Sequence, residues 1–326
     1  MKKLKVFISG EFGQIAREMI SQLSLREDVD IINFDKSFDL YRTYDHYQKN
    51  STFLFKDPSR QKEIDITEAG LLEVFNKLGC DMIIHTAAYV NTNKVEHDLM
   101  SAIDSNIKGT YNLVNIAKQL NIKFVNFSTT ATFDTEAYSA TRKMNEFTPR
   151  KPVTYYGQTK FVAEQIVKWN LKDYVNFLPV FFYGVYPSDN SSEIVKIIYN
   201  TVNRSAPINV TLSLDNLKAY FYIEDAVDAI VRIIFNEEAW KDLNKDFIIA
   251  TDEIMLYKEY LDIIMQELNT KMISATFLPE KDYLHNHIAD NSKMLKYAVD
   301  WKQQTFIKDG IKKIIASVKG EQKTLE

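Results

Sequence analysis

Leu4-Lys5-Val6-Phe7-Ile8-Ser9-Gly10-Glu11-Phe12-Gly13-Gln14-Ile15-Ala16 decides how the rest of the chain is read. Leu4–Ser9 is a short β-rich run that stops at Gly10. Ile15, Met19, Ile20 and Leu23 then follow at helical spacing within Ile15–Leu25. Gly10 permits a tight turn, Gly13 lets backbone approach a pyrophosphate, and the small Ala16 allows close helix–strand packing. Glycine also suits an ordinary strand–helix turn, so the position inside a βα unit counts for more than the glycines themselves. There are only 9 glycines in 326 residues, which gives each one more weight.

Moving outward, strand-like and helix-like patterns alternate. Val29–Asp35 reads as a strand, Leu71–Leu78 as a helix and Met82–Ala87 as a strand. Met100–Leu120 reads as one helix, and Phe124–Phe127 as the next strand, with Ser128 and two threonines after it. Gln158–Trp169 reads as a helix and Val175–Phe182 as a strand. Near-continuous apolar strands alternating with amphipathic helices predict a parallel sheet covered on both faces. The expected fold is therefore α/β, a Rossmann-type doubly wound sheet with a smaller C-terminal α/β lobe. Residues 1–178 form the nucleotide-binding domain, a later segment near 218–250 returns to it, and 179–326 is mainly a substrate-binding lobe. In that second half Asp225–Phe235 and Tyr257–Leu268 read as helices, Asp246–Ala250 as a strand, and Ser188–Ser192 as a surface loop near the lobe boundary.

Composition narrows the function. The net charge of −4 gives no electrostatic reason to expect nucleic acid as partner. The lone Cys80 excludes an intrachain disulfide framework and a cysteine-rich metal site, and it reads as a buried small hydrophobe. No run approaches the ~18 apolar residues of a membrane span, and Val6-Phe7-Ile8 after three lysines is too short for a signal-peptide core. A cytoplasmic protein without membrane partners is expected. His285 and His287 are too few and too isolated for a metal site, and no metal is expected. Arg142, Lys143, Arg150 and Lys151 form a basic cluster that can meet a substrate diphosphate or stay solvated.

Three further features carry chemistry. Asp35 lies about 20 residues beyond the glycine turn, at the end of the second strand, where a carboxylate accepts hydrogen bonds from an adenosine ribose and repels a 2′-phosphate. That favours NAD(H) and leaves NADP(H) open, because Lys36 follows at once. In Tyr156-Gly157-Gln158-Thr159-Lys160 the tyrosine and lysine fall on one helix face, with about 6 Å between Cβ atoms. A lysine there can lower the phenol's pKa and hold a ribose, and the phenol can act as acid or base at a carbonyl. Ser128-Thr129-Thr130 lies just past a strand, at the carboxyl edge where α/β sheets bind ligands, or serves as a helix cap.

Taken in order, these motifs resemble the extended short-chain dehydrogenase/reductase (NAD-dependent epimerase/dehydratase) family, and within it the dTDP-4-dehydrorhamnose reductases and related nucleotide-sugar reductases. Ile8–Ala16 is similar to that group's glycine opening, and Asp65-Ile66-Thr67 to its Asp-Ile-Thr segment. His85-Thr86-Ala87-Ala88-Tyr89-Val90 resembles its Asn-x-Ala-Ala-Tyr-Thr stretch, and Phe127–Asp134 its Ser-Thr-Asp-Tyr-Val-Phe-Asp. Glu146, Pro152 and Tyr156–Lys160, with Glu164 beyond, complete the set. The resemblance implies cofactor contacts from Gly10, Phe12, Gly13, Gln14 and Ile15, then from Asp35, Asp65 and Ile66. It implies further ones from Ala87, Ala88, Tyr89 and Asn106, and from Tyr156 and Lys160. Thr129 would bind the substrate carbonyl, Tyr156 would donate the proton and Lys160 would hold the nicotinamide ribose. Thr130 is the alternative register to Thr129, and Tyr89, Thr130 and Phe181 would meet the substrate.

The implied activity is NAD(P)H-dependent reduction of a nucleotide-linked 4-keto-sugar, by a homodimer. A sugar-nucleotide epimerase shares the same side chains. A non-catalytic subunit of this fold is a third reading, which the intact Thr129, Tyr156 and Lys160 disfavour. Departures from the family include Leu178 in place of an arginine. Thr130-Ala131 stands where 4,6-dehydratases carry Asp-Glu, which disfavours a dehydratase.

Overall fold

The computed structural model describes residues 2–11, 13–34, 65–68, 70–90, 92–133, 142–185, 191–210, 213–278 and 286–325. In chain order it runs β1 (Leu4–Ser9), α1 (Gln14–Ser24), β2 (Val29–Phe34), α2 (Leu71–Leu78), β3 (Met82–His85), α3 (Thr92–His97), α4 (Leu99–Ala102), a π-helix (Ile103–Gly109), α5 (Thr110–Leu120), β4 (Lys123–Phe127), α6 (Tyr155–Asn170) and β5 (Tyr174–Pro179). There follow β6 (Phe181–Tyr183), α7 (Glu193–Val202), β7 (Ile208–Val210), β8 (Leu217–Lys218), β9 (Tyr220–Tyr222), α8 (Ile223–Ile234), α9 (Glu237–Lys241) and β10 (Asp246–Ile249). β11 (Met255–Leu256), α10 (Tyr257–Leu268), β12 (Ala275–Phe277), α11 (Ser292–Tyr297) and α12 (Ile307–Leu325) close the chain.

Two compact units share these elements. The first comprises Met1–Thr132, Pro152–Leu178 and Ile230–Phe247; the second takes Phe133–Lys151, Pro179–Ala229 and Ile248–Glu326. The central sheet has six strands in the order β10-β5-β4-β3-β1-β2. β2, β1, β3, β4 and β5 are parallel neighbours, the arrangement of a Rossmann-type sheet. The strand order reverses between β1 and β3, with Ser9 opposite His85, and ligands of such sheets bind beyond the strand ends at that point.

The strands are apolar on both faces because helices cover both. Val6, Phe7, Ile8, Ile83, Ile84, Phe124 and Val125 are fully buried. Phe7 stacks edge-on against Phe75 of α2 with ring centroids 4.5 Å apart, and each such buried ring contributes roughly 2–3 kcal/mol. The second unit has its own core, in which Tyr183, Tyr220, Tyr222, Tyr257 and Tyr260 pack with Ile194, Ile197 and Ile311. Among the described residues, no helix is long and apolar enough to cross a membrane.

Two sequence expectations are corrected. The single helix expected over Met100–Leu120 is α4, a seven-residue π-helix and α5. A π-helical segment is a local change of hydrogen-bonding inside a helix, which the spacing of apolar residues does not reveal. The strand expected over Val175–Phe182 divides at Pro179-Val180: β5 stays in the central sheet and β6 pairs with β9. Pro179 ends β5 because it brings no N–H to a ladder. Residues 188–190 of the expected surface loop lie outside the described residues.

Candidate active site

The glycine turn sits at the carboxyl end of β1. Gly10 has φ +75°, and a Cβ there would lie 2.7 Å from the Cα of Ala87 and 2.8 Å from its nitrogen. Only glycine fits, for conformation and for space alike. The Gly13 N–H donates to the Gly10 carbonyl (2.9 Å). Gly13 caps α1 without a side chain, so no cap side chain covers the first-turn amides of α1, the disposition that receives a pyrophosphate. Gln14 and Ile15 open α1, and Ala16 is fully buried behind them. Phe12 and Asp35 lie outside the described residues.

Behind the turn runs a buried hydrogen-bond chain centred on His85. Thr110 Oγ1 donates to the Asn106 carbonyl (2.6 Å), so it accepts from His85 Nε2–H at 2.9 Å. His85 Nδ1 therefore accepts from Ser9 Oγ at 2.9 Å, and Ser9 Oγ accepts from the Ala87 N–H (3.3 Å). These partners assign the neutral Nε2–H tautomer. Burial, helped by the nearby charge of Lys160, pushes His85 down to about 3. The Thr86 hydroxyl donates to the Ser9 carbonyl (2.6 Å), locking the end of β3 against the glycine turn.

The π-helix places Asn106 at the far end of this chain. Its side chain accepts from the Tyr89 N–H (2.7 Å) and donates to the Tyr89 carbonyl (3.1 Å) and to Thr159 Oγ1 (3.0 Å). Thr159 in turn donates to the Tyr156 carbonyl (2.9 Å). Asn106 thus clamps the segment Ala87-Ala88-Tyr89 to the helix that carries Tyr156. Asp65 Oδ1 accepts from the Thr67 N–H (2.8 Å), and the Ile66 carbonyl accepts from Asn112 Nδ2 (2.8 Å), which moors this segment to α5.

Helix α6 begins at the Thr154 cap, whose hydroxyl accepts from the Gly157 N–H (3.1 Å). A Cβ on Gly157 would run into the Ala131 carbonyl oxygen, so α6 can seat on the Thr130–Thr132 turn only with glycine there. Tyr156 and Thr129 share a side-chain hydrogen bond, and burial outweighs it to push the phenol up to about 12. Lys160 is 2% exposed. Burial lowers it to about 8, against the attraction of Glu164. At the hydroxyl cluster Thr129 is the residue that shares a side-chain hydrogen bond with Tyr156, while Thr130 is 2% exposed.

In the second unit, Phe181 packs against Tyr220 (5.5 Å) and His287 (4.9 Å), and Lys218 Nζ lies 5.3 Å from its ring centroid. Burial and the Lys218 charge push His287 down to about 3. Of the basic cluster, Lys143 pairs with Asp252 (3.1 Å) and Arg150 lies over the Phe133 ring (3.9 Å). Cys80 is buried, bonded through Sγ to the Met82 carbonyl (2.9 Å), and burial pushes its thiol up to about 11.

The sequence motifs include His85 only as one member of a stretch and give Ser9 and Thr110 no role. One signal points there: a histidine ending the otherwise apolar Met82-Ile83-Ile84 run at the carboxyl edge of a buried strand.

Residues 6–250, more than half of the chain, match the NAD dependent epimerase/dehydratase family. The chain belongs to that family. Its members are enzymes of the extended short-chain dehydrogenase/reductase type, and NAD is their cofactor. The chain is 23% identical over 269 residues to a putative UDP-glucose 4-epimerase of Methanocaldococcus jannaschii, covering 80% of this chain and 84% of that one. It is 22% identical over 332 residues to the dTDP-4-dehydro-6-deoxyglucose reductase of Escherichia coli, covering 98% of each. Among solved structures it is similar to the UDP-glucuronic acid 4-epimerase of Bacillus cereus in complex with UDP-glucuronic acid and NAD. That likeness has a TM-score of 0.81 at 18% identity, with 98% of this chain and 100% of that one covered. The residues present fit the dinucleotide: the Gly10 cradle has no room for a Cβ, and no cap side chain covers the start of α1.

Proposed function

We propose that this family member is an NAD(H)-dependent reductase of a nucleotide-linked 4-keto-(deoxy)sugar, acting through Thr129, Tyr156 and Lys160. The observation that carries this reading is the side-chain hydrogen bond that pairs Tyr156 with Thr129 beside the buried Lys160, with the similarity to the Escherichia coli reductase over 98% of both chains in support. A phenol pushed up to about 12 and bonded to Thr129 holds its proton at neutral pH, as a donor to a carbonyl oxygen must. When bound, the reduced nicotinamide supplies the hydride. Tyr156 gives its proton to the carbonyl oxygen as the carbon is reduced, so a ketone, a hydride and a proton become an alcohol. Thr129 donates to the same oxygen and stabilises the charge that develops on it. The Lys160 ammonium holds the nicotinamide ribose and stabilises the phenolate left on Tyr156, which solvent reprotonates.

The glycine turn, Asp65-Ile66 and the Ala87–Tyr89 segment hold the dinucleotide, and the Asp35 carboxylate favours NAD(H), with NADP(H) the alternative. Phe181 and Tyr89 belong to the sugar side, and the burial of Thr130 speaks against the substrate contact that the resemblance implies for it. The second unit supplies the substrate-binding lobe. The protein acts in the cytoplasm as a homodimer: Tyr155, Val162 and Trp169 recur every seven residues along α6 and stay exposed, Trp169 at 78%. A stripe of that spacing suits a helix of a second copy.

An epimerase is the second reading, supported by the similarity to the Methanocaldococcus jannaschii relative. The test is an assay of freshly purified protein with NADH and a dTDP- or UDP-linked 4-keto-6-deoxysugar. One-for-one loss of NADH and ketone supports the reductase, and Tyr156→Phe should then lower turnover by roughly 10²–10⁴. Interconversion of UDP-hexoses with tightly retained NAD and no net NADH loss overturns it in favour of the epimerase.

A further inference from the structure

One face of α6 carries a titratable side chain on every turn: Tyr156, Lys160, Glu164 and Lys168 follow at intervals of four. Proton donation and ribose binding use the first two. Glu164 is wholly buried, and a carboxylate removed from water persists only where its charge is compensated. Ser128 and Lys168 are among its partners. Ser128 Oγ donates to one carboxylate oxygen, and Lys168 Nζ stands 3.8 Å from the other. Lys168 is drawn more closely to Asp246, at 2.7 Å, and Asp246 is fixed by Asn176 Nδ2 at 2.9 Å. Lys168 is thus shared between two carboxylates, and the Glu164 carboxyl stands one helical turn from Lys160. Ser128 is the residue before Thr129, so this single carboxylate touches the strand end of one site residue and faces the ammonium of another.

We propose that Glu164 is a positioning residue, which ties helix α6 to the strand end bearing Thr129 and keeps Lys160 in its ammonium form. The inference rests on the reading of Lys160 as the residue that holds the cofactor ribose. The site's other charges support it. Lys160 faces Tyr156 on its own helix and the neutral His85 from β3. The packed π-helix reaches the same turn with the uncharged Asn106 amide. Glu164 faces Lys168 and, from β5, Tyr174, whose phenol burial raises and which both Asp246 and Glu164 raise further. Glu96 reaches only the exposed start of α6, at the Tyr155 N–H. Glu164 is accordingly the anion that opposes the burial acting on Lys160. With about 6 Å across one helical turn and an effective dielectric of about 20, its removal lowers the Lys160 titration by about two pH units.

The test measures NADH affinity of the full chain by nicotinamide fluorescence, without substrate, across the Lys160 titration. Wild-type affinity should fall as pH rises through about 8. Glu164→Gln keeps an acceptor for Ser128 and removes the charge, so the midpoint should move down by about two units while affinity at lower pH recovers. Ser128→Ala keeps the charge and should leave the midpoint in place. An equal loss of affinity at every pH in Glu164→Gln, or no change, overturns the proposal. Should Glu164→Gln fail to fold, Glu164→Asp keeps the charge on a shorter side chain and should leave the midpoint near its wild-type value; a midpoint moved down by about two units there is equally fatal. Wild-type protein that binds no NADH at any pH overturns the reading of the site, and this inference with it. NADH binding with an unshifted midpoint in Glu164→Gln overturns the inference alone.

Discussion

Replacing Gly10 by alanine tests whether close backbone approach, rather than conformational freedom alone, governs the turn. The residue has φ +75°, which costs a non-glycine residue roughly 1–2 kcal/mol. Its new methyl would also stand 2.7 Å from the Ala87 Cα. That neighbour is backbone at the end of β3, held by the Ser9–Ala87 and Thr86–Ser9 hydrogen bonds, and it cannot swing aside as a side-chain tip would. Overpacking of this kind adds roughly 1–3 kcal/mol, for a total of about 2–5 kcal/mol. Gly70 supplies the control: it has φ +84°, and a methyl added there would meet nothing within 4 Å, so Gly70→Ala should cost only the conformational ~1–2 kcal/mol. Urea unfolding of both variants measures the difference, and NADH titration should show affinity lost at least tenfold in Gly10→Ala alone, as a backbone shift of about 1 Å disturbs the turn. Equal destabilisation of the two variants, or wild-type NADH affinity in Gly10→Ala, would refute the reasoning.

Other consequences follow from the same contacts. Tyr183 and Tyr257 bury hydroxyls that have no partner among the described residues, so Tyr183→Phe and Tyr257→Phe should leave stability unchanged or raise it, by up to about 1 kcal/mol each. Tyr260→Phe, which breaks a 2.9 Å bond to the Lys218 carbonyl, should lower it by about 1 kcal/mol; thermal unfolding of the three variants checks both signs. Asn106→Ala strands the Tyr89 amide and should cost about 2–3 kcal/mol in urea unfolding, and a cost below about 0.5 kcal/mol would rule out the clamp. His85 and His287 are both held near 3 by burial, whereas an unfolded histidine takes up its proton near 6.5. Below about 6.5 the unfolded chain therefore binds more protons than the folded one, and stability falls with pH down to about 3. Each histidine should contribute about 2 kcal/mol of loss between about pH 7 and pH 5, and His287→Gln should flatten that slope by about half.

The first β–turn–α unit and the Tyr–Lys pair were legible because each depends on local spacing: a glycine between a strand and a helix, and two side chains one turn apart. The alternation of apolar strands and helices carried the parallel sheet for the same reason. What escaped depends on distant partners or on very short elements. His85 meets Ser9 and Thr110, 76 and 25 residues away, and no pattern near His85 announces either. The π-helix differs from its neighbours in hydrogen bonding rather than in residue type, so Met100–Leu120 reads as continuous. Strands of two or three residues, such as β8 and β11, are too short for a period of two. The tyrosine-rich core of the second unit was hidden because tyrosine, with its hydroxyl, reads as half-polar until its burial is known.

The division of the chain has a consequence for its synthesis. The first unit draws on three separate stretches, and its sheet ends in β10. A chain released after Leu178 would leave β5 with one side bare and Asn176 and Lys168 without Asp246. Such an open edge pairs readily with any other strand it meets. The ribosome must therefore deliver residue 249 before the first sheet can be completed. By then most of the second unit's strands have already emerged, and the two units cannot be inherited, grafted or expressed as consecutive pieces.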